Sequence, residues 1–165
     1  MDRIWAPWRA EYLCEDKPAR CIFCRESDKA SDRETLLLHR TPCSSVMLNL
    51  YPYSKGHLLV SPLRHTAALD GLTGEELQDL FELVRRSCDV LNAVAAPEGF
   101  NIGMNIGKAA GAGVAEHLHV HIVPRWNGDT NYMSVIADVR VIPEALLATY
   151  DALLPHFTTT AGKGI

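Results

Sequence analysis

The sequence predicts an α+β domain: an antiparallel sheet of about five strands carrying one long helix, with a C-terminal helix after it. Three observations carry this. Short β-rich runs recur at 35–40, 45–50 and 57–62, with turn residues between them. A strongly amphipathic helix follows over 73–95. Two further apolar runs, 100–106 and 117–124, come after it and are separated by a glycine-rich stretch.

Residues 1–34 form an irregular N-terminal extension, in which Trp5, Trp8 and Tyr12 would share one face of a short helix opened by Pro7. "CEDKPARCIFCRESDKASDRE" reads as loop. "TLLLHR", "SVMLNL" and "HLLVSP" are strand candidates, and "YPYSKG" turns between the last two, which suits an antiparallel hairpin. In the long helix Thr73 and Glu76 have capping-box spacing. Leu77, Leu80, Phe81, Val84, Cys88 and Leu91 recur at helical intervals and are expected to face the sheet. "FNIGMNI" is the next strand, "GKAAGAG" (107–113) a loop, and "HLHVHIVP" the last strand. Pro143 opens a terminal helix with Leu146, Leu147, Tyr150, Leu153 and Leu154 on one face, and 157–165 is expected to be a loose tail.

A chain of 165 residues has the usual size of one domain and can build a core without disulfides. Its formal net charge of −4 argues against coating nucleic acid, although a local pocket can still grip a small phosphate. No apolar stretch reaches the eighteen or so residues of a membrane span. The start "MDRIWAPWRAEYL" lacks the parts of a signal peptide, so the five cysteines are expected to be thiols or metal ligands in the cytoplasm.

His117, His119 and His121 stand at every second position of the last strand candidate. Alternate residues of a strand point to one face, roughly 6.6 Å apart per step. The three imidazoles therefore line one surface while Leu118, Val120 and Ile122 pack on the other. Three readings compete: buried histidines satisfied by hydrogen bonds, a metal site, or a nucleophile with helpers. The loop ahead of them favours phosphate chemistry, because Gly107, Gly111 and Gly113 let backbone N–H groups converge on an anion.

His117-Leu118-His119-Val120-His121-Ile122-Val123 resembles the histidine triad of the HIT superfamily. "HIVPRW", the preceding "AGAG" and "SVMLNLYPYSKGHLLVSPLRH" are similar to its diadenosine tetraphosphate phosphorylase-like branch, and the likeness covers roughly residues 20–130. The resemblance implies a HIT-like fold over a single domain, 1–165, and a homodimer whose sheets join. It implies attack by the middle histidine, His119, on a nucleotide α-phosphate, with His121 and the amides of Gly111, Ala112 and Gly113 stabilising the phosphoryl oxygens. Asn49 falls at the ribose-contacting position, His57 near the α-phosphate, and Asn105 where an asparagine holds the phosphate or leaving group. The implied substrate is an adenine dinucleoside polyphosphate or an AMP conjugate. Many hydrolytic members carry glutamine and serine where this chain has Gly113 and Val114, which favours polyphosphate cleavage over phosphoramidase activity and leaves the acceptor open.

Cys21 and Cys24 have C-x-x-C spacing, which by itself fits a redox pair, half a zinc site or chance. The resemblance to zinc-containing HIT proteins implies a structural zinc on Cys21, Cys24, His65 and His117, tying the N-terminal extension to the sheet. Cys88 is expected in the core, Cys14 and Cys43 carry no pattern, and His39 and His156 are expected to be structural or at the surface. Trp5, Trp8 and Trp126 are candidates for an adenine shelf, with packing or a dimer contact the favoured use. Arg125 and Lys108 could each serve a phosphate or a surface salt bridge. Two other functions stay open at this level: a zinc-stabilised nucleotide-binding module without turnover, and an enzyme with its metal on the triad itself.

Overall fold

Five strands pair in the spatial order β1-β2-β3-β5-β4, every neighbouring pair antiparallel, in a computed structural model that describes residues 21–24, 32–129 and 145–158. They are β1 (Leu37–Arg40), β2 (Ser44–Leu48), β3 (Leu58–Pro62), β4 (Gly99–Met104) and β5 (Val120–Arg125). Helix α1 (Gly74–Ala95) follows β3, and α2 (Leu146–Thr158) ends the described chain. The expected elements at Trp5, Trp8, Tyr12 and Pro143, and Cys14, lie outside the described residues.

The capping box at the start of α1 is formed as expected: the Glu76 amide donates to Thr73 Oγ1 at 3.2 Å, and the Thr73 amide donates to Glu76 Oε2 at 2.8 Å. The helix stops where Ala96 turns left-handed (φ 43°) ahead of Pro97. Its buried face is Leu80, Leu83, Val84, Ser87, Val90 and Leu91, so the expected face is corrected. Phe81 is 49% exposed, and Leu77 and Cys88 are only partly buried. The cause is α2, which packs against α1 and draws the apolar stripe round toward Leu83 and Val90.

In α2 the buried side chains are Thr149, Tyr150, Leu153 and Phe157, while Leu147 is exposed. The Tyr150 hydroxyl donates to the Leu37 carbonyl at 2.9 Å and docks the helix on β1. Phe157 is fully buried in helix, so the expected tail starting at 157 begins later.

The first strand starts at Leu37 instead of Thr35, because Leu36 is left-handed (φ 60°) and the register shifts between Leu37 and His39. In an antiparallel ladder, directly paired residues share a face. One face carries Val46, Leu48, Leu58, Val60, Val120 and Ile122, all nearly inaccessible, against α1. The other face carries the row Leu37, Met47, Leu59, His121 and Gly103, each residue paired with the next. The fold thus puts its core on one side of the sheet and the third histidine on the other. At the hairpin between β2 and β3, Gly56 has φ 74°, and a Cβ there would stand 3.0 Å from Leu91 Cδ2. Only glycine fits that approach without strain.

The last strand is shorter than expected, with its ladder starting at Val120. Continuing the register would set Leu118 opposite Pro62, which has no N–H to give. The Leu118 amide donates instead to the Thr66 carbonyl at 2.7 Å, so His117–His119 lie outside the ladder.

Candidate active site and metal centre

His117 and His119 are buried and His121 is partly so, and ring contacts run from His117 through Phe23 to His119 and on to His121. The His119 Nδ1–H donates to the His117 carbonyl at 2.8 Å. A carbonyl can only accept, so the proton sits on Nδ1 and the Nε2 lone pair is free. Burial pushes the His119 pKa down against the opposing pull of that hydrogen bond, which keeps the ring neutral near pH 7. A buried, neutral imidazole with one nitrogen tied down has the form a nucleophile needs.

His121 is set by a second chain of hydrogen bonds. The Tyr53 amide donates to His57 Nδ1 at 3.1 Å, and Asn49 Nδ2 lies 3.2 Å from the same atom. Asn49 Oδ1 accepts the Tyr51 amide at 3.0 Å, which fixes the way the amide points. His57 Nδ1 is therefore an acceptor and its proton is on Nε2, 3.0 Å from His121 Nδ1. His121 accepts there and holds its own proton on Nε2, where it can donate. Burial, then the neighbouring His119, lowers the His121 pKa to about 4. Tyr53 stacks over His121 at 6.2 Å and 14°. On the strand side, β4 offers Gly103, where a Cβ would meet nothing within 4 Å, so the space beside His121 is open. His57 is fully buried, with its Nε2 against His121.

Among the described residues, one group of ligating side chains converges: Cys21, Cys24, His65 and His117, with ligand atoms all within 4.8 Å of one another. His117 donates Nε2–H to the Pro62 carbonyl at 2.8 Å and turns Nδ1 inward. From that nitrogen, Cys21 Sγ is 3.3 Å away, Cys24 Sγ 3.4 Å and His65 Nδ1 3.3 Å, and Cys24 Sγ lies 3.1 Å from His65 Nδ1. A tetrahedral ion with ordinary zinc–ligand lengths sets its donors about 3.3–3.8 Å apart, close to this spacing. Burial and the Cys21 thiol push the Cys24 pKa up to about 11. The donor set fits a closed Cys₂His₂ metal site. The triad contributes only His117 to it, while His119 turns its Nδ1 to a carbonyl, so the metal-on-triad alternative finds no ligand set among the described residues.

The other expected residues are spread around this centre. Asn105 and Gly111–Gly113 lie in the loop from β4 to His117, where Gly107 (φ 83°) and Gly111 (φ 82°) flank a short 3₁₀ turn at Lys108–Ala110. Among the described residues none of them hydrogen-bonds to the triad; they border it as loop. Arg125 is bound elsewhere: it pairs with Asp129 at 2.6 and 2.8 Å and donates to Asn101 at 2.8 Å, so it is a salt-bridge residue at the far end of β5. His39 is half-buried between Arg86 and Phe157, a structural role. Two aromatic rings that no sequence motif marks touch the histidines. Phe23, inside the C-x-x-C turn, stacks on His119, and Tyr53 covers His57 and His121. Beside Phe23 a small cleft opens on the same sheet face, with apolar walls from Ile22, Leu37, Met47 and Leu63 and polar groups from Thr35, Ser45 and Arg40.

Fold and site together define a histidine-triad protein, and the chain belongs to that family: the HIT domain model matches residues 31–128. The chain is 40% identical over 159 residues to the AP-4-A phosphorylase of Mycobacterium tuberculosis, covering 90% of this chain and 80% of the relative. It is 42% identical over 93 residues to the asymmetrical bis(5'-nucleosyl)-tetraphosphatase of Schizosaccharomyces pombe, covering 56% of this chain and 50% of that protein. Among solved structures, a Zn-bound histidine triad family protein from Mycobacterium smegmatis superposes with TM-score 0.63 at 26% identity, over 83% of this chain and 92% of that one.

Proposed function

We propose that this chain is a nucleotidyl-transferring HIT enzyme that cleaves dinucleoside polyphosphates through a nucleotidyl-histidine intermediate on His119. The observation that carries the reading is the Nδ1–H of His119 held on the His117 carbonyl, which leaves Nε2 unprotonated. The Nε2 lone pair forms the N–P bond as the P–O bond to the polyphosphate breaks. The leaving group departs as an anion that needs no proton near pH 7. The carbonyl of His117 steadies the positive charge that the ring gains. His121 Nε2–H donates to a non-bridging oxygen, helped by amides of the Gly111–Gly113 loop, and Asn105 holds the phosphates. An acceptor oxygen, from phosphate or from a water that gives up its proton to solvent, then displaces the histidine, and Nε2 recovers its lone pair. Asn49 is read as the ribose contact from its match to the family motif, and His57 acts by positioning His121.

The Cys21, Cys24, His65 and His117 set is read as a structural zinc site, which when filled supplies a cross-link between residues 21–24 and the sheet. Free thiols in that site suit a reducing cytoplasm. The open edge of β4, with Asn101, Ile102 and Gly103 exposed, is the surface we assign to a homodimer.

Incubation with diadenosine tetraphosphate, with and without inorganic phosphate, tests the function. ADP and ATP formed only with phosphate identify a phosphorylase; AMP and ATP identify a hydrolase. Absence of any adenylyl product under both conditions overturns the reading.

A further inference from the structure

We propose that Phe23 is a positioning residue for His119, and that the Cys21, Cys24, His65 and His117 cluster sets its grip on the ring. The proposal rests on His119 being the nucleophile. One hydrogen bond fixes a single point of the His119 ring and leaves it free to pivot. The Phe23 ring restricts that freedom from the face: its centroid lies 4.9 Å from that of His119 with the planes 29° apart. Phe23 also packs on His117 at 5.1 Å and 50°, and it is only 6% exposed.

His121 meets the edge of the His119 ring at 4.9 Å, and the other two restraints, the carbonyl and the Phe23 ring, originate in the ligand set. Phe23 stands between Cys21 and Cys24 in a turn closed by the Cys24 amide on the Cys21 carbonyl at 3.2 Å. His117 gives its ring nitrogen to the cluster and its carbonyl to His119. Next to the remaining ligand, His65, the Thr66 carbonyl takes the Leu118 amide at 2.7 Å. Gathering the four ligands therefore clamps three chain segments around one imidazole. Loosening the cluster frees the ring face and the carbonyl together, so metal occupancy governs how well His119 is aimed. Misplacing a reacting group by about 1 Å costs on the order of 10²-fold in rate.

The test uses the full chain loaded with zinc, and reads the ring nitrogens of His119 by ¹H–¹⁵N NMR alongside single-turnover cleavage at saturating diadenosine tetraphosphate. The native protein is expected to show one Nδ1–H tautomer with a slowly exchanging proton. Phe23→Leu, which keeps apolar bulk, should retain zinc yet exchange that proton at least tenfold faster. Its single-turnover rate should fall about 10–100-fold. Zinc-stripped native protein should show the same NMR change, reversed when zinc is restored. Should Phe23→Leu fail to fold, Phe23→Met and the stripped protein carry the same readouts. The proposal is overturned if folded, zinc-bound Phe23 variants, or the stripped protein, keep the native His119 signal. It also falls if the Phe23 variants keep a rate within twofold of native. If the chain cleaves no dinucleoside polyphosphate, the proposed function fails on its own and the NMR arm still decides the positioning role.

Discussion

Replacing His57 with phenylalanine keeps a ring of similar size in a fully buried position and removes both of its hydrogen-bonding nitrogens. The Tyr53 amide loses its acceptor, 3.1 Å away, and His121 Nδ1 loses the donor 3.0 Å away. A buried polar group left unsatisfied costs about 1–3 kcal/mol, and Tyr53 is able to recover part of this from water near the surface. We therefore expect His57→Phe to lose about 2–3 kcal/mol. For a chain of this length that lowers the melting temperature by roughly 4–12 °C. The larger effect is on catalysis. Without the His57 Nε2–H, nothing fixes the proton of His121 on its phosphate-facing nitrogen, and loss of such an outer partner typically costs about 10–100-fold in activity. Steady-state cleavage of diadenosine tetraphosphate measures it. The loss should fall on kcat with KM nearly unchanged, because His57 does not touch the substrate. A His57→Phe protein with kcat within threefold of native would refute the tautomer chain.

His121, with its pKa lowered from 6.5 to about 4, is neutral in the folded chain where the unfolded chain is protonated, so the unfolded state binds the extra proton between those values. Its contribution is fully present above about pH 6.5 and is lost as pH falls toward 4, on the order of 2–3 kcal/mol. Urea unfolding at both ends of that window should show a smaller acid loss in His121→Gln; equal losses contradict the assignment. Removing the metal with a chelator, or by Cys24→Ser, should lower the melting temperature by about 10 °C, the effect of a site bound at roughly a thousand times its dissociation constant. A midpoint unchanged on chelation, with no zinc found by metal analysis, removes the site. Arg125→Ala should leave kcat/KM within threefold, since Asp129 and Asn101 already hold that guanidinium. A tenfold loss restores a phosphate role.

Features settled within a few residues were legible in the sequence. The Thr73–Glu76 cap is one, and the burial of Leu118, Val120 and Ile122 in the core between the histidines is another. Features that depend on a distant element were not. Phe81 and Leu83 flank the same apolar stripe, and only the position of α2 decides which is covered. The triad strand is cut short by Pro62, which becomes relevant only once β3 and β5 pair. For Arg125 the sequence left a phosphate and a salt bridge open; Asp129 takes the guanidinium, and Asn101 reaches it only through the β4–β5 ladder. Phe23 read as one more apolar residue between cysteines, because its partner His119 is brought to it by the convergence of the metal ligands. The chemistry was visible in the residue types, and the aim of each side chain was not.

The most direct test of the central claim is to trap the intermediate. Protein mixed with diadenosine tetraphosphate for milliseconds and quenched in alkali, which spares an acid-labile phosphoramidate, is digested and analysed by mass spectrometry. The account predicts an adenylyl group on His119, formed in a burst and absent from His119→Ala. Turnover with the adduct on another residue, or sustained cleavage by His119→Ala, contradicts it.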